Sequence, residues 1–331
     1  MKAWLLDNFN GVQGLRLADI PAPRPQTGEA ILELDYAALN PADRYLAEGQ
    51  YPAKPPLPHI LGRDGIGTVI EVGSETGNAR AGDRRVILRG EVGVERAGSF
   101  AGRVAVPAQN LVETPSHWTE QEAAGATLVY LTAYQALTTW GPLPPPSLVL
   151  VTGASGGVGV AAVQLAVAMG HTVLALSRSA EKSRRLQQLG AAATFNPEDP
   201  QWRHSVKTRF ARRRVDLAID NIGGKLLPEV IDTLGDFGKV SLAGRLGGPV
   251  PNFNTATLFF RRLRLGGVAV GAYTNAESRA AWQEVLALLG QTGARPLVDS
   301  VWPFEQLPKA FERLAQGPMG KVLLRVKAAP D

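Results

Sequence analysis

Unbroken apolar segments alternate with glycine-rich turns in the middle of the chain, whereas short strands separated by turns dominate its first third. Residues 149–178 read VLVTGASGGVGVAAVQLAVAMGHTVLALSR, which is an apolar strand, a turn, an apolar helix and a second apolar strand. Continuous apolar strands are typical of parallel strands covered on both faces. Further strands are predicted over 193–195, 215–220 and 238–243, each after a helical segment. This order predicts a doubly wound parallel sheet.

The segments on either side predict a different architecture. Up to about residue 120, strands over 2–7, 29–38, 65–72, 85–88 and 102–106 are separated by turns rich in glycine and proline, which predicts an antiparallel, barrel-like domain. A single helix is predicted from Trp118 to Leu137. The last part contains predicted helices over 276–289 and 308–316 and a strand over 321–327, and we expect it to return to the first domain. The predicted domains are therefore 1–121, 122–265 and 266–331.

The turn at 154–159 has the spacing of the GxGxxG fingerprint, with alanine at its first position. Gly156 and Gly157 carry no side chain where a pyrophosphate must touch the backbone, and Gly159 allows the helix to pack closely on the sheet. Such turns also occur in ordinary strand-to-helix connections, but the flanking strands and helix favour a dinucleotide. We expect Ser155, Gly156, Gly157 and Val158 to bind its phosphates at the helix N-terminus.

The end of the second strand indicates which dinucleotide binds. An NAD site usually has Asp or Glu there to accept hydrogen bonds from the ribose 2′-hydroxyl. This chain has Ser177 and Arg178 instead, with Lys182 one helical turn later. A guanidinium can bind a 2′-phosphate in two places, and an ammonium adds a point charge, so NADP(H) is favoured. The alternative is that Arg178 and Lys182 only solvate the start of a surface helix capped by Ser179.

Composition excludes some classes of site. The 331 residues contain no cysteine, so neither a disulfide nor a cysteine-ligated zinc can form, and the four histidines lack the spacing of a metal pair. No metal is expected. The net charge of +5 and the basic clusters at 209–214 and 261–264 occur without a nucleic-acid-binding motif, so no nucleic-acid partner is expected. Neither a signal peptide nor a membrane span is predicted, which favours a cytoplasmic protein.

Several motifs together resemble one family along essentially the whole chain. They are TGASGGVGVAAVQLA at 152–166, NPADRY at 40–45, ILGRDGIGTVIEVG at 60–73, AAGATLVYLTAYQAL at 123–137, DNIGG at 220–224 and GKVLL at 320–324. The chain is similar to the medium-chain dehydrogenase/reductase superfamily and, within it, to the zinc-free quinone oxidoreductase branch. The resemblance implies a GroES-like β-barrel domain plus a doubly wound parallel-sheet (Rossmann) domain.

The resemblance also implies a site and a chemistry. Asn40 and Gly62-Arg63-Asp64 stand where the zinc-dependent relatives carry a cysteine ligand and Gly-His-Glu. Without a Lewis acid, hydride transfer from NADPH to a quinone or to the β-carbon of an enone is expected. Tyr45 would be the hydrogen-bond donor or proton source, Asn40 an orienting amide and Asp43 a positioning carboxylate. Further contacts with the coenzyme, or closure of the cleft, are implied for Thr127, Asn221, Gly244, Arg245, Leu246 and Lys321, and Tyr51 and Tyr130 are second-rank candidates.

Alternatives to this interpretation are open at the level of sequence. Asn40 and Asp43 flank a proline and are also typical of helix caps, and Tyr45 is also typical of a core position. An NADPH-dependent reductase of unsaturated thioesters shares the fold, and a non-enzymatic, crystallin-like protein that binds NADPH or RNA is a further alternative. The resemblance also implies a homodimer formed through sheet edges near residues 267–272.

Overall fold

The computed structural model describes residues 1–89, 91–211, 213–249 and 253–327. The chain divides into two compact units. Unit 1 comprises Met1–Leu128, Gly271–Arg279 and Arg295–Asp331, and unit 2 comprises Val129–Val270 and Ala280–Ala294. The domain boundaries expected at 121/122 and 265/266 stay predictions.

The strands and helices are numbered in chain order. The strands are β1 (Lys2–Leu6), β2 (Leu15–Asp19), β3 (Glu29–Ala38), β4 (Asp64–Val72), β5 (Arg84–Ile87), β6 (Arg103–Pro107), β7 (Leu111–Glu113), β8 (Leu148–Val151), β9 (Thr172–Leu176), β10 (Ala193–Phe195), β11 (Val215–Asp220), β12 (Leu234–Leu242), β13 (Arg264–Gly267), β14 (Val298–Pro303) and β15 (Lys321–Arg325). The helices are α1 (Pro41–Ala47), α2 (Glu120–Ala124), α3 (Thr127–Thr138), α4 (Gly157–Ala168), α5 (Ala180–Gln188), α6 (Trp202–Arg209), α7 (Leu226–Thr233), α8 (Ala256–Phe260), α9 (Asn275–Thr292) and α10 (Leu307–Ala315).

Unit 1 is built on a seven-stranded sheet with the order β14-β15-β3-β4-β5-β7, in which β6 also pairs with β3. Most pairs are antiparallel, while β14 and β15 are parallel. β15 pairs with β3 in a register that places Leu323 opposite Ala38, so the end of the chain joins its beginning. A core that includes Leu6, Phe100 and Phe311 lies under this sheet, with the β1-β2 hairpin beside it.

One predicted element of this region is wrong. The sequence predicts a continuous helix from Trp118 to Leu137, but the structure has two helices, α2 and α3, separated at Gly125. A Cβ on Gly125 would lie 3.0 Å from side-chain atoms of Lys321, so the chain here passes close to the start of β15. The break coincides with this tertiary contact, which the local pattern does not contain.

Unit 2 is built on a six-stranded parallel sheet with the order β10-β9-β8-β11-β12-β13. Counted from β8, this is the 3-2-1-4-5-6 order of the Rossmann fold, which confirms the predicted doubly wound sheet. The central strand β8 is buried along its whole length, as its four apolar residues require. Trp202 of α6 is buried in the core and donates a hydrogen bond to Glu229 of α7 at 2.8 Å, which joins two helices on one face.

The basic clusters of unit 2 have structural partners. Arg214 donates a hydrogen bond to the carbonyl of Leu234 at 3.0 Å, and Arg261 donates to the same carbonyl. Arg212, a member of the first cluster, lies outside the described residues. In the part of the chain that the structure describes, no helix has both the length and the apolar character needed to cross a membrane.

Candidate functional site

The glycine turn of unit 2 connects the buried strand β8 to helix α4, whose first residue is Gly157. A Cβ on Gly159 would lie 2.3 Å from the carbonyl oxygen of Gly153, so this helix can approach the turn only with glycine there. A Cβ on Gly156 would meet nothing closer than 3.5 Å, which leaves its outer side open. Residues 155–158 are partly exposed. The open backbone at a helix N-terminus therefore fits a phosphate group.

A buried carboxylate organises the neighbouring strand end. Asp220, at the end of β11, is fully buried and accepts a hydrogen bond of 2.6 Å from the hydroxyl of Thr152, which follows β8. The same carboxylate accepts hydrogen bonds from the backbone N–H groups of Ile222 and Gly223 at 3.0–3.1 Å. Asn221 donates its side-chain amide to the carbonyl of Thr152 at 2.8 Å. Asp220 thus fixes the carboxyl ends of β8 and β11, where ligands bind in such sheets.

The predicted nicotinamide contacts of unit 2 lie on two adjoining loops. A Cβ on Gly244 would lie 2.4 Å from the carbonyl oxygen of Asn221, and the N–H of Gly247 donates to Ile222 at 2.7 Å. Arg245 and Leu246 follow on the exposed part of the second loop. The structure therefore brings Asn221, Gly244, Arg245 and Leu246 together at the same end of the sheet as the glycine turn.

The residues predicted to bind a 2′-phosphate follow β9. Ser177 is nearly buried, whereas the Arg178 side chain is 74% exposed and lies 3.7 Å from Glu198. Ser179 accepts a hydrogen bond from the backbone of Lys182 at 3.3 Å and caps α5. The Ser179 cap, which the alternative interpretation of Arg178 and Lys182 as solvated surface residues expects, is thus present. It leaves the guanidinium of Arg178 largely in solvent, where it can bind an anion.

In unit 1, three side chains form a buried, charged cluster. The ammonium of Lys321 donates to the amide oxygen of Asn40 at 2.6 Å and to the carboxylate of Asp64 at 3.0 Å. Asn40 donates its amide N–H to the same carboxylate at 2.9 Å. All three residues are at most 5% exposed. Gly320 holds the lysine in place, because its φ is +96° and a Cβ there would lie 2.3 Å from the carbonyl oxygen of Leu297.

A second group of charges lies beside this cluster. Asp43, in the first turn of α1, is fully buried and accepts a hydrogen bond of 2.8 Å from the backbone N–H of Asn40. Arg63 approaches its carboxylate at 3.5 Å and donates a hydrogen bond to the hydroxyl of Tyr51 at 3.1 Å. Burial raises the pKa of Asp43 to about 6, against the opposing attraction of Arg63 and the hydrogen bond from Asn40. Asp43 therefore titrates close to neutral pH.

The other predicted residues have different surroundings. Thr127 is fully buried in unit 1, where its hydroxyl lies 2.7 Å from the carbonyl oxygen of Ile87 and 3.2 Å from the carboxylate of Asp64, so the structure places it against the Asn40, Asp64 and Lys321 cluster. Tyr45 is partly exposed on α1, with the guanidinium of Arg44 5.4 Å from its ring centre. Tyr130 is buried in unit 2, where its hydroxyl donates to Gln164. The predicted roles of Thr127 and Lys321 as coenzyme ligands stay predictions, although both side chains are engaged inside unit 1.

The sequence interpretation did not assign roles to three residues that organise these sites: Asp64, Arg63 and Asp220. Asp64 and Arg63 belong to the Gly-Arg-Asp-Gly segment at the start of an apolar strand. Two adjacent charges at the start of such a strand are the sequence feature that could have indicated a role for them. Asp220 ends a buried strand next to the DNIGG motif, where a carboxylate without solvent must find donors. The role of each of these three residues can be assigned only once its hydrogen-bond partners are known.

The donor atoms present do not fit a zinc ion. The sequence has no cysteine, and the described ranges contain no group of three or more His, Cys, Asp or Glu side chains that could hold a metal. In unit 1 the carboxylate of Asp64 is already bound by the ammonium of Lys321, so a cationic side chain occupies the polar cluster. We therefore derive no chemistry from a metal at this position.

Family models match both parts of the chain. Residues 26–116 match the alcohol dehydrogenase GroES-like domain, and residues 157–291 match the zinc-binding dehydrogenase domain. The first range contains strands β3–β7 of unit 1, and the second contains helix α4 and strands β9–β13 of unit 2. The described architecture therefore agrees with both family models.

Curated relatives match over nearly the whole chain. The synaptic vesicle membrane protein VAT-1 homolog of Homo sapiens is 31% identical over 98% of this chain and 86% of its own length. The quinone oxidoreductase of Lama guanicoe is 29% identical over 99% of this chain and 98% of its own length.

Solved structures are similar over nearly the whole chain as well. An NAD-dependent alcohol dehydrogenase is 30% identical, with a TM-score of 0.91 over 99% of this chain and 100% of that chain. A mycobacterial protein solved as a complex with NADPH is 26% identical, with a TM-score of 0.89 over 98% of this chain and 99% of that chain. With its two matching domain models and its relatives of about 30% identity, the chain belongs to the medium-chain dehydrogenase/reductase superfamily.

Proposed function

We propose that this protein is an NADPH-dependent, metal-free reductase that transfers hydride to quinones or to the β-carbon of α,β-unsaturated carbonyl compounds. The observation that carries the proposal is the buried cluster of Asn40, Asp64 and Lys321. An ammonium bound between an amide and a carboxylate fills the polar site of unit 1, so these residues are not available as metal ligands. The similarity to a quinone oxidoreductase supports the same class of substrate.

The proposed lack of a metal favours one kind of substrate. Oxidation of a simple alcohol requires stabilisation of an alkoxide, which a Lewis acid would supply, whereas a quinone or an enone accepts hydride without one. The negative charge then develops on the substrate oxygen, where hydrogen-bond donors can stabilise it. Tyr45 is the donor that the sequence predicts, with Asn40 and Asp43 as orienting groups. Asn40 is well suited to a fixed orientation, because both ends of its amide are bound.

The coenzyme proposed is NADP(H), and when bound NADPH supplies the hydride. The glycine turn offers the pyrophosphate its open backbone, and Arg178 offers the 2′-phosphate an exposed guanidinium at the end of β9. The mycobacterial neighbour with NADPH supports this assignment, whereas the similarity to an NAD-dependent alcohol dehydrogenase makes a direct comparison of the two coenzymes necessary.

The test is a panel of acceptors assayed with NADPH and with NADH. We expect NADPH to be oxidised with 9,10-phenanthrenequinone or a 2-alkenal, at rates that EDTA does not change. The panel includes an enoyl thioester, and a clear preference for it would indicate a thioester reductase instead of a quinone or enone reductase. Turnover confined to alcohols with added zinc would refute the proposal, and so would a preference for NADH.

We also propose that the protein forms a homodimer through β13, whose last residue is Gly267. The rest of the segment 267–272 implied by the resemblance is not a continuous edge strand, since Val270–Ala272 forms a 3₁₀ helix. Strand β13 ends the sheet of unit 2, and β12 is its strand partner within the described residues. An open edge invites pairing with a second copy. Light scattering coupled to size-exclusion chromatography should give twice the 35.2 kDa mass of the chain, and a monomer at all concentrations would refute the dimer.

A further inference from the structure

The guanidinium of Arg63 connects two groups of unit 1. Its Nε lies 3.5 Å from the carboxylate of Asp43, and its Nη1 donates to the hydroxyl oxygen of Tyr51 at 3.1 Å. Its Cζ also lies 4.5 Å from the ring centre of Tyr51. The Arg63 side chain is only 11% exposed, and in the described ranges its Nη2 meets no hydrogen-bond acceptor. A buried guanidinium with this geometry is held against the tyrosine by charge and by stacking.

This contact restricts the directions in which the hydroxyl hydrogen of Tyr51 can point. A guanidinium has donors and no acceptor, so the oxygen of Tyr51 must accept from Arg63. The single hydroxyl hydrogen of Tyr51 cannot point back to Arg63 and is available to another acceptor. Tyr51 is partly exposed, so a small ligand can reach it.

We propose that Arg63 is a positioning residue that presents the Tyr51 hydroxyl as the hydrogen-bond and proton donor to the substrate oxygen. This inference rests on the proposed function, and it moves the donor role from Tyr45 to Tyr51. The contact between Arg63 and Tyr51 is the reason for this choice, because it turns the hydroxyl hydrogen of Tyr51 away from the guanidinium before a substrate binds. Pre-oriented donors stabilise a developing negative charge best.

The reduction of an enone then balances as follows. The β-carbon gains hydride from NADPH, which is oxidised to NADP⁺, and a C–H bond forms while the π bond of the alkene breaks. The electron pair moves through the α-carbon to the carbonyl oxygen, which becomes an enolate. Tyr51 donates its proton to this oxygen and regains one from solvent. The enol then tautomerises to the saturated carbonyl compound, with a net consumption of one proton.

The kinetic test is a double-mutant cycle with Arg63→Met and Tyr51→Phe, assayed with NADPH and a 2-alkenal. Each single variant should lower kcat by about 100-fold, the usual loss of one oriented donor, with the KM for NADPH unchanged. The double variant should be no slower than Tyr51→Phe, because Arg63 acts through the hydroxyl that is already absent. Multiplicative losses, giving about 10⁴-fold in the double variant, would overturn the proposal.

Control variants distinguish the proposed role of Arg63 from a general loss of folding and from a donor role of Tyr45. Arg313→Met removes an arginine from the buried carboxylate of Asp299, a similar ion pair of unit 1 without a tyrosine, and should leave kcat unchanged. Arg63→Lys keeps one donor and should recover at least tenfold of the activity lost in Arg63→Met. If Tyr45→Phe abolished the effect of Arg63→Met and Tyr51→Phe did not, the donor would be Tyr45 and the proposal would be wrong.

A spectroscopic measurement separates failure of this inference from failure of the proposed function. In protein labelled with ¹³Cζ-tyrosine, the resonance lost in Tyr51→Phe should shift in Arg63→Met and stay in place in Arg313→Met. An unshifted resonance would refute the positioning contact even in an active enzyme. If the resonance shifts but the wild type reduces neither quinones nor enals, the contact exists and the proposed reaction is wrong.

Discussion

Replacing Asp43 with asparagine should change how the stability of the protein depends on pH. Burial of this carboxyl group raises its pKa from 3.8 to about 6. Between these two values the native state binds a proton that the unfolded state has released. The free energy of unfolding therefore contains a contribution that is fully present below pH 3.8 and is lost as the pH rises through 6. Asparagine has no such proton, and its amide oxygen can still accept the hydrogen bond from the backbone of Asn40.

The size of the effect follows from the two pKa values. A displacement from 3.8 to about 6 corresponds to about 3 kcal/mol over the full titration, of which about 1 kcal/mol falls between pH 5 and pH 7. The measurement is urea-induced unfolding of wild type and Asp43→Asn at both pH values, followed by circular dichroism. The wild type should lose about 1 kcal/mol more than the variant when the pH is raised from 5 to 7.

Asp299→Asn is the matched control for this experiment. Asp299 is another carboxylate of unit 1, partly buried where Asp43 is fully buried. Burial alone would raise the pKa of Asp299, but hydrogen bonds from Arg313 and Met319 outweigh burial and lower it. Both its folded and its unfolded pKa lie below 5, so its replacement should leave the difference between pH 5 and pH 7 unchanged. If Asp43→Asn retained the full pH dependence of the wild type, the raised pKa and the reasoning from burial would be refuted.

Three further outcomes are expected. Burial lowers the pKa of His59 below 6.5, so the wild type should lose stability relative to His59→Leu as the pH falls from 7 to 5.5, and parallel stability curves would contradict this. Gly320→Ala should destabilise the protein by at least about 1–3 kcal/mol, because φ is +96° and the new Cβ meets the carbonyl of Leu297; a crystal structure of the variant should show Lys321 displaced. Arg178→Asp should raise the KM for NADPH about 10- to 100-fold and leave that for NADH within about twofold, and equal changes for both coenzymes would show that Arg178 does not bind the 2′-phosphate.

The parallel sheet of unit 2 could be predicted because each strand carries its own signal. The predicted strands at 193–195 and 215–220 coincide with β10 and β11, since both are short apolar segments between a helix and a turn. β12 begins at Leu234, four residues before its predicted start, because Leu234 pairs with Val215 ahead of a bulge, and regular pairing with β11 resumes at Lys239. A strand that starts before a bulge escapes a prediction that rests on a continuous apolar pattern.

The polar cluster of unit 1 could not be assembled from the sequence. Asn40 and Asp43 were recognised through a local motif, but Asp64 and Lys321 are 257 residues apart in the chain. Their contact depends on the pairing of β15 with β3 and on the approach of Gly125, and neither leaves a local pattern. The sequence therefore indicates which residues are polar in an apolar setting. The partners of each residue are decided by the pairing of strands that are distant in the chain.

The pairing of β3 with β15 has a consequence for synthesis on the ribosome. Ala38 meets its partner Leu323 only after about 285 further residues are translated, roughly 15 to 60 s at rates of about 5–20 residues/s. All strands of the unit 2 sheet, by contrast, have been translated once Gly267 is added. During that interval the nascent chain carries an incomplete first sheet whose Asp64 still lacks its lysine. Unit 2 can form its sheet while the segment translated first waits for the last strand.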